Sequence, residues 1–371
     1  MRLKTRRIRE YLSRIEGQTV SVEAVHPLGV DPTADGEELK AFGYGKPLLV
    51  RYRVNGGSTV KQVVLNTMLP NHFGHEYRAD RAASLLLAYD TYNHLPAHAR
   101  ALDVGVVEAD GHLTSLGHGD EFFLLTEFVD GTPYADDLVR LRETGHLTDV
   151  DVRRAQALAE YLAHIHAVKR HDPDLYHRRL RDLVGGGEGI MGLIDSYPSD
   201  FPLAPPQWLA WVESRCVEWR WRLREKEHRL AQVHGDYHPY NVLFTRGTEF
   251  RLLDRSRGPW GEPADDVAAL VINYLFFSLQ RCGRLAFPFD HLWDTFWTTY
   301  LARTGDEELL SVIAPFLAWR GLVVASPLWY HVEDDVRRAI FAFITNVLTA
   351  TTFDPAQVHR YLMSEETYEP A

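Results

Sequence analysis

The chain has 371 residues, 45% hydrophobic and 25% charged, with a formal net charge of −11. This describes a globular chain long enough for two lobes and a large buried core, and its acidity argues against nonspecific nucleic-acid binding while suiting a cationic substrate. Two cysteines, Cys216 and Cys282, give no disulfide framework, the basic residues 1–7 lead into no apolar signal core, and the apolar run 267–279 is too short for a bilayer, so a cytoplasmic protein away from the membrane is expected.

In chain order, residues 4–16 place Ile8, Tyr11, Leu12 and Ile15 at helical spacing. Residues 19–25 alternate as a strand, and 30–38 read as a loop. Strands are expected over 48–54 and 59–68, joined by the hairpin signal Asn55-Gly56-Gly57-Ser58. Ahead of them, Gly43 and Gly45 either let backbone N–H groups approach phosphates or serve only a turn. A helix over 74–88 carries Ala79, Ala82, Ala83, Leu86 and Leu87 on one stripe, with Glu76 positioned to share it. Two strands, 101–108 and 121–128, flank the turn-rich stretch 109–120.

Helices then dominate. Residues 152–168 repeat Ala155, Leu158, Ala159, Leu162 and Ile165 at helical spacing, with His164 and His166 read as packing or surface residues. The glycine-rich residues 185–189 precede no Lys-Ser or Lys-Thr, which excludes a P-loop and leaves a flap near an acceptor site or a plain linker. A long helix over 208–232 carries Trp208, Trp211, Trp219 and Trp221, expected to pack rather than line a cleft. Further helices are expected over 267–280, 290–304, 307–324, 333–349 and 355–363.

The chemistry concentrates in Val233-His234-Gly235-Asp236-Tyr237-His238-Pro239-Tyr240-Asn241-Val242-Leu243-Phe244 and the following Phe250-Arg251-Leu252-Leu253-Asp254. Pro239 and the glycine make residues 235–240 a loop, and 242–253 reads as a hairpin that returns Asp254 towards Asp236 and Asn241. Phosphoryl transfer needs a carboxylate for the acceptor proton, a role open to Asp236. It also needs hard oxygen ligands for Mg²⁺, and Asn241 and Asp254 can supply them. A rival reading groups His234, Asp236 and His238 as metal ligands of a metallohydrolase.

These residues resemble the aminoglycoside phosphotransferase and choline kinase-like family, which shares the protein-kinase fold. The resemblance rests on His234-Gly235-Asp236 with Asn241, then Leu252-Leu253-Asp254, then Gly261-Glu262-Pro263-Ala264-Asp265-Asp266. It implies a bilobal α+β fold: residues 1–129 form a small antiparallel sheet lobe with a helix, and residues 130–371 a larger, mostly helical catalytic lobe. It implies a small-molecule phosphotransferase moving the ATP γ-phosphoryl to a hydroxyl acceptor with Mg²⁺. Asp236 is then the base, His234 a brace of the loop, and Asp266 the acid that ties the loop down. By the same resemblance Asn66 stands where the phosphate-binding strand lysine belongs, Glu76 is that lysine's partner, and the backbones of Glu127 and Val129 meet the adenine edge. Lys61 differs from Asn66 by an odd number and points to the other face of a regular strand, so it substitutes only through a bulge or a different register, and Lys46, Arg51 and Arg53 are the other cationic candidates. The missing lysine keeps open a non-catalytic nucleotide-binding protein of the same fold.

Overall fold

The computed structural model describes residues 4–27 and 47–363, and the chain divides into two compact units between Thr126 and Glu127. In the first unit, α1 (Thr5–Glu16) ends at Gly17 in the left-handed conformation. It is followed by an antiparallel sheet of β1 (Val20–Pro27), β2 (Leu48–Val54) and β3 (Lys61–Leu65) in that order. Ile8 and Leu12 of α1 pack with Val20, Val50, Tyr52 and Leu113 into the core of this unit, as the helical spacing requires. The β2–β3 register runs without a shift from Leu48 opposite Leu65 to Tyr52 opposite Lys61.

The helix expected over 74–88 is α2 (Arg78–Tyr92), and its stripe is corrected. Ala79, Ala82, Ala83 and Leu87 are exposed, and no described residue of the helix is fully buried. Arg81 turns a different face inward, because its guanidinium donates to the carbonyls of His75, Glu76 and Tyr77 at 2.7–3.0 Å. The expected strands at 101–108 and 121–128 are also corrected. A short hairpin of β4 (Gly105–Val107) and β5 (Leu113–Ser115) lies partly inside the predicted turn. Residues 121–128 form no strand and are exposed: their apolar side chains favour an extended chain, but a strand also needs a hydrogen-bonded neighbour, and none occurs among the described residues.

The second unit opens with β6 (Thr132–Pro133), α3 (Tyr134–Thr144) and α4 (Asp149–His166). Thr148 caps α4, and Ala155, Leu158, Ala159, Leu162 and Ile165 are all buried, as the periodicity indicates. Next come α5 (Pro173–Gly185), α6 (Ile190–Asp195) and α7 (Pro206–Leu223). The last stops nine residues short of the expected 232, because Arg229 is drawn inward to Glu262 at 2.8 Å and Asp306 at 2.7 Å. Trp208 donates to Thr345 Oγ1 and Trp219 to the Leu348 carbonyl, each at 3.0 Å, so both pack against neighbouring helix.

β7 (Ala231–Gln232) leads into the loop carrying Asp236. β8 (Val242–Arg246) and β9 (Glu249–Leu252) are the expected hairpin, with β6 on the outer edge of β8, and β10 (Trp260–Gly261) pairs with β7. The centre of the unit is α8 (Pro263–Cys282), buried on every side from Pro263 to Leu279. Around it stand α9 (Phe289–Thr304), α10 (Leu309–Val312), α11 (Ala314–Ala325) and α12 (Asp334–Thr349), before the short α13 (Val358–Tyr361). An all-round apolar helix of this kind belongs to a large core. Among the described residues no helix is long and apolar enough to cross a membrane.

Candidate active site

Asp236, Asn241 and Asp254 lie on consecutive pieces of chain stitched together by hydrogen bonds. Gly235 takes φ 88°, and a Cβ there would stand 3.3 Å from Arg257 Cβ, so glycine suits both the backbone and the close approach. Pro239 starts a single 3₁₀ turn, Pro239–Asn241, that brings the chain back. The Asn241 side-chain nitrogen donates to the Asp236 carbonyl at 3.1 Å. The Asn241 carbonyl accepts from Leu253 N at 2.9 Å, immediately before Asp254. Asn241 is thus bonded to one acid's backbone and to the residue preceding the other.

The Asp236 carboxylate is only 14% exposed and is held by one oxygen. Arg320 Nη1 donates to Oδ1 at 2.6 Å, and Arg257 Nη1 reaches the same Oδ1 at 2.8 Å. Oδ2 faces His238 Nε2 at 3.6 Å. Burial alone pushes this carboxyl's pKa up, but the charges of Arg320, Arg257 and His238 outweigh it and hold it at about 2. Arg257 also donates to the Gly235 carbonyl at 3.1 Å and to Glu188 at 3.2 Å. His238 Nδ1 accepts from Tyr240 N at 3.2 Å, which leaves its proton on Nε2. Burial holds the His238 pKa below the ordinary imidazole value against the pull of Asp236.

Behind the loop stands Asp266 at the start of α8. Its two oxygens accept the backbone N–H groups of His234 and Gly235, both at 2.7 Å, and His166 Nε2 lies 3.2 Å away. Burial pushes the Asp266 pKa up, yet His166 and the two amides together hold it below the usual carboxylate range. Its neighbour Asp265 bonds Arg320 Nη2 at 2.6 Å. Burial raises the Asp265 pKa, with Arg320 opposing it.

Asp254 is different. It is exposed, sits at φ 51°, and has Oδ1 bonded to Ser256 N at 3.2 Å. It helps line a small pocket with Tyr161, Ile165, His234, Leu253 and Arg255. Residues 185–189 form a tight turn, in which a Cβ on Gly189 would overlap the Asp182 and Leu183 carbonyls. Trp319 donates its indole N–H to the Glu188 carbonyl at 3.0 Å.

His234 and His238 each turn Nδ1 to a backbone N–H of their own loop, and among the described residues no three His, Cys, Asp or Glu side chains could together hold a metal. This removes the cluster expected of His234, Asp236 and His238: alternating residues converge only on a strand, and residues 233–238 are not one.

The remaining expected site residues are placed as follows. Gly43 and Gly45 lie outside the described residues. Asn66 is exposed just past the end of β3, not on the strand. The regular register excludes the bulge that would redirect Lys61, and its ammonium pairs with Glu16 at 2.7 Å. Glu76 precedes α2 instead of lying on it, because Tyr77 is extended and its N–H is bonded by Asp80 at 2.7 Å. Glu127 and Val129 lie in a stretch without strand structure at the start of the second unit, so the strand end expected to present their backbones is absent. Sequence reading missed Arg257, Arg320, Asp265 and Glu188. A signal for Arg320 was present, since it is a lone charge in the apolar run 314–325 and a buried cation must be paired.

The chain matches the phosphotransferase enzyme family (APH) over residues 52–294, about two thirds of its length. It belongs to that family. The fold is the bilobal, protein-kinase-like α+β fold of these enzymes, and the chain is accordingly a phosphotransferase. Similar solved structures include an amicoumacin kinase in complex with AMP-PNP, Ca²⁺ and Ami, at 17% identity, covering 86% of this chain and 91% of that one with a TM-score of 0.40. A Plasmodium vivax ethanolamine kinase is 13% identical, with 92% and 80% of the two chains covered and a TM-score of 0.34. The aminoglycoside phosphotransferase APH(3'')-Id from Streptomyces rimosus is 16% identical, with 82% and 92% covered and a TM-score of 0.32. No curated protein sequence matches the chain.

Proposed function

We propose that this phosphotransferase moves the γ-phosphoryl of ATP to a hydroxyl of a small molecule, with Asp236 as the base and Asn241 and Asp254 as Mg²⁺ ligands. The observation that supports the reading is the pair of bonds by which Asn241 joins the Asp236 carbonyl and the amide of Leu253, the residue before Asp254. The donor set fits a hard divalent ion. The Asn241 side-chain nitrogen is committed to Asp236, so its oxygen remains for a metal, and Asp254 accepts one backbone N–H and keeps its other oxygen. Bound Mg²⁺ would neutralise phosphate charge as it shifts to the leaving group.

Asp236 does the rest. A carboxylate with a pKa near 2 does not strip a proton from an alcohol in advance. It accepts the hydroxyl's hydrogen bond, aims the oxygen at phosphorus, and takes the proton as the new O–P bond forms and the bond to the leaving diphosphate breaks. A loose phosphoryl-transfer transition state asks for little more. The net charge of −11 suits a cationic alcohol, and two cysteines without a disulfide framework suit a cytoplasmic setting.

A second reading, nucleotide binding without transfer, draws on Lys61 being engaged by Glu16 and Asn66 standing exposed off the strand. One experiment separates the two. Acceptor alcohols are screened with ATP and Mg²⁺ and products weighed by mass spectrometry, with Asp236→Asn as control. A phosphorylated product from the wild type alone supports the kinase; nucleotide binding with no product from any acceptor supports the binder.

A further inference from the structure

The first turn of α8 carries two consecutive acids, and they do different work on the same loop. Asp266 holds backbone, through the N–H groups of His234 and Gly235. Asp265 touches none of the loop's backbone; it bonds Arg320 Nη2 at 2.6 Å, and the other arm of that guanidinium, Nη1, bonds Asp236 Oδ1 at 2.6 Å. Arg320 is 6% and Asp265 8% exposed, so solvent does not loosen this chain of contacts. The Arg320 guanidinium is further fixed from one side by the Trp319 ring, 4.0 Å from its centroid. A planar guanidinium that spans two carboxylates sets their mutual orientation as well as their charge.

We propose that Arg320, anchored by Asp265, is a positioning residue of the reaction: it ties down Oδ1 of Asp236 so that Oδ2 is the oxygen presented to the acceptor hydroxyl. This rests on the reading of Asp236 as the base. Both arginine contacts to Asp236 fall on Oδ1, and among the described residues Oδ2 has only His238 Nε2 at 3.6 Å, which leaves a lone pair for an incoming O–H. Were Oδ1 free to rotate, either oxygen could face the acceptor, and the near-attack geometry that gives catalysis much of its advantage would be populated less. A lysine at position 320 reaches one carboxylate and not both, so it keeps the charge and loses the orientation.

ATP hydrolysis tests this without knowledge of the acceptor, because water takes the acceptor's place. For Arg320→Lys and Asp265→Asn, kcat for MgATP hydrolysis is expected to fall about tenfold or more, with MgATP affinity within about twofold of wild type. In Arg320→Ala, guanidinium ion in the assay is expected to recover most of the lost rate, a response that a purely architectural residue does not give. Wild-type kcat in both Arg320→Lys and Asp265→Asn overturns the inference while Asp236→Asn stays inactive and the phosphotransferase reading stands. Asp236→Asn hydrolysing ATP like the wild type overturns the base assignment and the inference with it. A crystal structure of Asp265→Asn reads the positioning directly, even for an unstable or inactive sample: an Asp236 carboxylate in its original rotamer, still bonded through Oδ1, sinks the proposal.

Discussion

The loop at 233–241 and the turn at 254–258 each carry an acid of the proposed site, and they hold it in opposite ways. Asp236 is largely shielded from solvent, its carboxylate gripped by two guanidiniums and the amides of its neighbours His234 and Gly235 bonded to Asp266. Asp254 is exposed on left-handed backbone, where its Oδ1 accepts a hydrogen bond from Ser256 N at 3.2 Å. The contrast matches the two roles proposed for these acids. A group that aims a hydroxyl gains from being fixed before the substrate arrives, whereas a ligand for an incoming ion must keep its lone pairs available.

The largest expected effect breaks the fixed side. Asp236→Asn keeps the shape and removes the proton acceptor, so kcat should fall by about 10²–10⁴ with nucleotide affinity nearly unchanged, measured by turnover and calorimetric titration. Next, Asp266→Ala strips the loop of its anchor and leaves two buried amides without an acceptor. A loss of about 3–5 kcal/mol in denaturant unfolding is expected. On the open side the sign reverses: Asp254→Gly relieves a left-handed non-glycine residue. Its unfolding free energy should match the wild type or exceed it by up to about 1 kcal/mol, while Mg²⁺-dependent nucleotide binding is lost in calorimetry.

The smallest effect sharpens the comparison through pH. The His238 pKa is held by burial below its ordinary value of 6.5. The unfolded chain therefore binds a proton near pH 6.5 that the folded loop refuses. This contribution to stability is complete above that pH and is lost as pH falls towards the folded pKa. Thermal melts of the wild type should decline from pH 7 towards 5 more steeply than those of His238→Gln. Equal slopes would remove His238 from the account.

Much of this contrast was legible because it is written locally. Pro239 and the glycine break the chain into a loop, apolar pairs make the hairpin, and the spacing of Asp236, Asn241 and Asp254 follows. The buried stripe of α4 is equally local. What could not be read lies across the chain: Arg320 is 84 residues from Asp236 and 55 from Asp265, and nothing in either neighbourhood names the partner. The misplaced elements have two physical causes: tertiary contacts that override local preference, and a strand preference that finds no neighbour. Arg229 leaves a helix-favouring stretch to reach Glu262, Arg81 turns inward past a stripe of alanines, and apolar residues 121–128 favour a strand but pair with none among the described residues.

The all-round burial of α8 has a consequence for how the enzyme fails. Its amides belong to the part of the second unit that opens last, so in hydrogen–deuterium exchange they should be among the slowest to take up label. Asp265 and Asp266 sit at the head of that same helix. Fraying elsewhere leaves them in place, and on heating, inactivation of the loop they secure should coincide with cooperative melting of this unit rather than precede it.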